Sequence, residues 1–147
     1  MPPHGAPPRQ LPEEDRNLIV TIPASPLIPD PSLHVSKDVS NWVHRYNTLA
    51  GDKNPSSPEA FRKVIRIAKE WSEQHGRPIH MGEFGCYVQA DTESRIRFYT
   101  EFRKALADAG MGWAIWDWKA GFRYWDDRKA EPVAGMREAL FGSDLVR

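Results

Sequence analysis

Little in this chain of 147 residues suggests a disulfide-stapled, membrane-spanning or nucleic-acid-binding protein. Cys86 is the single cysteine, so no internal disulfide can form and the redox compartment stays open. No apolar run approaches the roughly 18–20 residues of an ordinary transmembrane helix. The 20 Lys and Arg balance the 20 Asp and Glu, so no charge surplus recommends nucleic acid or an anionic membrane as partner. The stretch MPPHGAPPRQLPEEDR lacks the apolar core of a secretory signal peptide, a statement about those residues alone. No phosphate-binding glycine loop occurs. His4, His34, His44, His75 and His80 show neither metal-ligand spacing nor cysteine partners, so no metal site is expected. Cys86 has no histidine partner in sequence to activate it as a nucleophile.

The chain is instead rich in proline, with 13, and in tryptophan, with six. Residues 1–16 read as a flexible lead-in and 17–147 as one domain, within the size that buries a core. NLIVTI (17–22) suits a strand covered on both faces. Residues 23–57 read as irregular, with Pro23, Pro26, Pro29 and Pro31 forbidding ladder pairing early on. A helix follows, with Ser57 as N-cap, Pro58 at the first position and Gly76 as the stop. Phe61, Val64, Ile65, Ala68 and Trp71 recur along it at helical spacing. PIHMGEF (78–84) is the next strand, and Asp91 or Thr92 caps a second helix whose stripe is Ile96, Tyr99, Phe102 and Leu106. Gly110 ends that helix, and MGWAIWDW (111–118) forms a third strand. After the aromatic loop KAGFRYWDD, Pro132 opens a last helix with Val133, Met136 and Leu140.

Strands alternating with helices imply parallel strands joined by crossovers, with the ligand site at the strands' C-terminal ends. Glu83 falls at such an end, between Gly82 and Phe84, and Trp116, Asp117 and Trp118 fall at another. A carboxylate on a buried strand is costly unless it is paired or has chemistry to perform. Glu83 therefore caps a helix, pairs with an arginine, or serves a site; the neighbouring glycines favour the last, because glycine permits close backbone approach near a ligand. Trp116 has the same two sides. An indole at a strand mouth offers a flat apolar face for a sugar ring, or else simply packs in the core.

PIHMGEFG, the helix TESRIRFYTEFRKALADAG and the strand GWAIWDWKAGF resemble the C-terminal part of glycoside hydrolase family 5, the cellulase family. The likeness is strongest over residues 58–142 and weaker over LPEEDRNLIVTI. It implies an α/β fold consisting of the last three βα units, strands six to eight, of an incomplete (β/α)8 TIM barrel. It also implies a cofactor-free retaining glycosidase acting on a β-linked oligo- or polysaccharide. Glu83 would be the nucleophile ending the seventh strand. Trp116 would line the subsite at the cleaved bond, and Asp117 would be its substrate-binding neighbour. Such an enzyme needs two carboxyl groups roughly 5–5.5 Å apart, one ionised as nucleophile and one protonated as acid/base.

Two departures stand out. The family's acid/base lies in an Asn-Glu-Pro motif that this sequence does not contain; its nearest imitation, Glu131-Pro132, reads as a helix start. Where the family carries a His-x-Tyr pair, this chain reads IPASP, with Pro23 and Ser25 at those places. A whole barrel takes about 250 residues, so this chain has room for part of one. The expectation is a truncated or diverged fragment, inactive alone, with a complementing N-terminal half-barrel as a possible partner. Two alternatives are a carbohydrate-binding remnant using Trp116, Trp125 and Tyr124, and a substitute acid among Asp117, Asp126 and Asp127.

Overall fold

The structure, a computed structural model, describes residues 34–142. The lead-in 1–16, the strand expected at 17–22, and Pro23 and Ser25 lie outside the described residues.

The first described element corrects the irregular reading of 23–57. Helix α1 spans Lys37–Thr48, and a 3-10 turn follows at Gly51–Lys53. Ser36 caps α1 by accepting from the Val39 N–H, Asp38 stands at the positive end of the dipole, and Val43 and Tyr46 are buried one turn apart. Helix α2, Pro58–His75, has the expected ends: the Ser57 hydroxyl accepts from Ala60 N–H, and Gly76 closes it at φ 61°, a left-handed conformation that suits glycine. Its stripe divides, however. Ile65 is buried, and Phe61 and Ala68 pack against the core, whereas Val64, Ile67 and Trp71 form an exposed line.

Strand β1 covers His80–Phe84, two residues shorter at its start than the expected 78–84. Pro78 has no N–H for a ladder bond. Helix α3, Thr92–Asp108, starts where Asp91 accepts from Ser94 N–H at 2.8 Å, and Gly110 follows its end at φ 67°. Strand β2 is only Gly112–Ile115 and pairs parallel with β1, matching His80 to Gly112 and Phe84 to Ile115 with an irregularity between. Helix α3 is therefore the crossover of a strand–helix–strand unit. Phe84 anchors it. Its ring lies 4.8 Å from Phe102, 5.7 Å from Trp113 and 5.8 Å from Tyr99, and Tyr99 and Leu106 are fully buried beside it.

The last helix also differs from expectation. Glu131–Pro132 is strand β4, antiparallel to β3 at Trp125–Asp126, and helix α4 spans only Met136–Phe141. The interruption is Gly135, at φ 78°, where a Cβ would stand 2.5 Å from Ile96 Cδ1. Val133 N–H instead donates to Tyr124 O at 2.8 Å and extends the hairpin. Met136, Ala139 and Leu140 then close the core against α3.

The α3 cap carries a pH prediction. Hydrogen bonds from Ser94 hold the Asp91 carboxyl below its ordinary value. A depressed folded pKa means this stabilisation is present above the unfolded carboxylate range and is lost as pH falls through the folded value. Asp91→Ala is expected to lower stability by about 1 kcal/mol at neutral pH. Urea denaturation at neutral pH and again near pH 2 checks it, the difference between variant and parent shrinking in acid.

Candidate active site

The site forms where β1 and β2 end side by side. Trp116 N–H donates to Phe84 O at 2.8 Å, continuing the parallel pairing one residue past β2 and bringing the residue after Glu83 against Trp116. Gly85 makes that approach possible. A Cβ on it would lie 2.0 Å from Trp116 O and 3.0 Å from Phe122 Cδ1, so only glycine fits. The peptide bond between Trp116 and Asp117 is cis. Around Gly82, by contrast, a Cβ would meet nothing within 4 Å, so of the two nearby glycines only Gly85 is required by close approach.

Glu83 is exposed, not buried as the apolar run around it suggests. Its carboxylate makes no ion pair or side-chain hydrogen bond among the described residues. The structural alternatives, a helix cap or an arginine partner, are thus not realised there. Trp116 and Trp118 are half exposed, at 51% and 52%. They follow the end of β2, which stops at Ile115 rather than at the expected residue 118.

Asp117 lies between them and turns onto its own loop. Its Oδ1 accepts from Ala120 N–H at 2.7 Å and its Oδ2 from Phe122 N–H at 3.3 Å. The other aspartates are locally engaged as well: Asp126 accepts from Arg128 N–H, and Asp127 pairs with Lys119 at 2.8 Å. Of the aromatics proposed for sugar stacking, Tyr124 is buried and Trp125 is covered by Trp118, their rings stacked 5.2 Å apart and nearly parallel at 15°. Trp118, placed by the sequence at the same strand end as Trp116, is the exposed face of that pair. Tyr87, also exposed, sits edge-on to Phe122 at 5.2 Å and close over Gly121.

Behind the strand ends lies a polar network. Arg95 and Tyr99, one turn apart on α3, reach the backbone of both loops, although the sequence reading treated Tyr99 as apolar stripe and Arg95 not at all. Desolvation raises the Tyr99 phenol above its ordinary pKa, opposed by the Cys86 N–H bond and by Arg95. Burial pushes the Cys86 thiol up, only partly offset by Arg95, and the raised value keeps it a neutral thiol at neutral pH. Among the described residues no group of three or more His, Cys, Asp or Glu is arranged to hold a metal ion, and no helix is long and apolar enough to cross a membrane.

A parallel strand–helix–strand unit with a carboxylate and exposed indoles at adjoining strand ends places the chain among α/β proteins whose ligand site lies at the strands' C-terminal ends. Comparison with known proteins narrows the class. The model of the family described as Cellulase (glycosyl hydrolase family 5) matches residues 17–121, and the chain belongs to that family. It is 31% identical over 80 residues to Endoglucanase H of Acetivibrio thermocellus, covering 54% of this chain and 9% of that protein. It is 36% identical over 61 residues to Endoglucanase C of the same organism, covering 42% of this chain and 18% of that one. Among solved structures, Thermotoga maritima Cel5A in complex with cellobiose (mutant form) superposes with a TM-score of 0.56 at 32% identity, covering 60% of this chain and 28% of that one. The chain thus spans less than a third of the length of each of these relatives. The solved neighbours include endoglucanases of a TIM-barrel family, and the described residues form a mixed helix–strand portion.

Proposed function

We propose that this chain supplies the nucleophile side of a retaining β-glucan hydrolase site, as the last three βα units of a family 5 barrel. Glu83 is the nucleophile, Trp116 the platform under the sugar at the cleaved bond, and Asp117 holds the loop that carries Trp116. The observation that carries this reading is the parallel β1–β2 pairing, which sets an exposed Glu83, with no ion pair among the described residues, and a half-exposed Trp116 at neighbouring strand ends in a chain of this family.

The chemistry is a double displacement. The Glu83 carboxylate attacks the anomeric carbon as the glycosidic bond breaks, and an acid protonates the departing oxygen. Water, deprotonated by the same acid acting as base, then releases the sugar from Glu83. Asp117, Asp126 and Asp127 each hold a local partner, which argues against any of them as that acid. The family resemblance then assigns the acid/base to an Asn-Glu-Pro segment outside this sequence, and the chain alone is expected to bind sugar without cleaving it. Cellobiose, the sugar bound in the Thermotoga maritima neighbour, is the natural first ligand.

Mixing the chain with an N-terminal barrel portion containing strands one to five tests the reading. Hydrolysis of a soluble β-glucan by the mixture, and by neither part alone, is the expected outcome. Hydrolysis by the chain alone would place an acid within it and contradict the assignment.

A second reading, a carbohydrate-binding remnant, draws on the exposure of Trp116 and Trp118. Tryptophan fluorescence titrated with cellotetraose separates the two. Binding that survives Glu83→Gln and is lost in Trp116→Ala, with no hydrolysis in any mixture, favours the remnant.

A further inference from the structure

Arg95 is 4% exposed, yet its guanidinium faces no carboxylate within ion-pair distance among the described residues. Within the described residues it donates to three backbone carbonyls. Nε donates to Cys86 O at 3.3 Å, and Nη2 donates to Phe122 O at 3.3 Å and to Arg123 O at 2.7 Å. Tyr99, one turn further along α3, adds two more, accepting from Cys86 N–H at 3.1 Å and donating to Phe122 O at 3.3 Å. Cys86 stands just past Glu83 in the loop that leaves β1, and Phe122 and Arg123 belong to the loop that leaves β2 behind Trp116. One helix face thus grips both loops from beneath.

Burying a cation without a counter-ion is costly, and an apolar residue would fill this position of α3 more cheaply. The return is geometric. A guanidinium offers a planar fork of donors that satisfies carbonyls from two directions, which an ammonium on a flexible stem does not reproduce. We propose that Arg95, seconded by Tyr99, is a positioning residue that clamps the loop after Glu83 to the loop after Trp116 and so sets the spacing of nucleophile and sugar platform. The part concerning the sugar rests on the function proposed above, and the clamp itself does not.

The test uses the full chain, with amide hydrogen exchange and tryptophan fluorescence titrated with cellotetraose. Arg95→Lys keeps the charge and loses the fork, and Tyr99→Phe keeps the ring and loses only the hydroxyl, so the second decides if the first fails to fold. In both, the amides of Val88, Phe122 and Tyr124 are expected to exchange faster, about tenfold in Arg95→Lys, while those of α2 stay unchanged. The Kd for cellotetraose is expected to rise about tenfold in Arg95→Lys and less in Tyr99→Phe. Millimolar ethylguanidinium should restore part of both losses in Arg95→Ala, a rescue that a merely space-filling role would not give. Exchange at the two loops, or sugar affinity, that stays at the parent level in both variants overturns the proposal, as does exchange that rises equally in α2. A parent chain that binds no cellotetraose defeats the sugar reading, and the loop exchange alone then decides whether the clamp exists.

Discussion

Replacing Glu83 with glutamine is expected to abolish hydrolysis in an enzyme reconstituted from this chain and a barrel portion that carries the acid/base, lowering kcat on the order of 10^4-fold or more. Glutamine keeps the shape of the side chain but cannot form the glycosyl ester, so the double displacement has no first step. Folding should be indifferent to the change. Glu83 is exposed and its carboxylate has no partner among the described residues, so the shift in stability is expected to stay within about 0.5 kcal/mol. Measuring kcat and the urea midpoint on the same preparation separates the two. Lost activity with an unmoved midpoint is the signature of a nucleophile. A glutamine variant that hydrolyses β-glucan at a tenth of the parent rate would return Glu83 to a supporting role.

Gly85→Ala is expected to act in the opposite way, through the fold. The added methyl would meet the Trp116 carbonyl oxygen at 2.0 Å, and that atom belongs to the backbone and cannot rotate aside. Relief requires the end of β1 to move off the end of β2, breaking the Trp116 N–H to Phe84 O bond at 2.8 Å and tilting Phe84 in its aromatic cluster. Overpacking of this kind costs about 2–3 kcal/mol, and the lost hydrogen bond is part of it. A urea midpoint that falls with an unchanged slope would register this cost as stability rather than as a change in the denatured state. Gly82→Ala is the control: the same methyl there meets nothing within 4 Å and should move the midpoint little.

The two glycines mark how far the sequence could be read. Both flank Glu83 or its neighbour and look alike as letters, and only the packing of β1 on β2 shows that one is required. The ends of α2 and α3 were legible because local groups write them: Ser57, Pro58 and Gly76 for the first, Asp91 and Gly110 for the second. Helix α1 was hidden behind the prolines before it and by its few apolar positions, with Val43 and Tyr46 alone buried. The start of α4 was misplaced because Pro132 is as good a strand-edge residue as a helix opener, and only its antiparallel pairing with Trp125 decides between them.

The candidate site was legible in part. Strand–helix alternation brought Glu83 and Trp116 to strand ends, and the family likeness gave each a role. The apolar neighbours of Glu83 argued for burial, but in β1 only Phe84 is buried, and His80, Gly82 and Glu83 are exposed. Arg95 left a trace that went unread: it continues the face of Tyr99, Phe102 and Leu106, an arginine in line with an apolar stripe. The loops it holds are distant in sequence, so its purpose is visible only in three dimensions.

The central claim is that Glu83 is a nucleophile whose acid partner comes from outside this chain. The most direct measurement is mass spectrometry of the chain after incubation with a 2-deoxy-2-fluoro-cellobioside bearing an activated leaving group, with the complementing barrel portion present. Such a leaving group departs without acid assistance and the fluorine slows release, so the glycosyl-enzyme accumulates. The account predicts one sugar added per chain, located on the peptide containing Glu83. A label on any other residue, or an unmodified Glu83 peptide in a mixture that hydrolyses β-glucan, would contradict it.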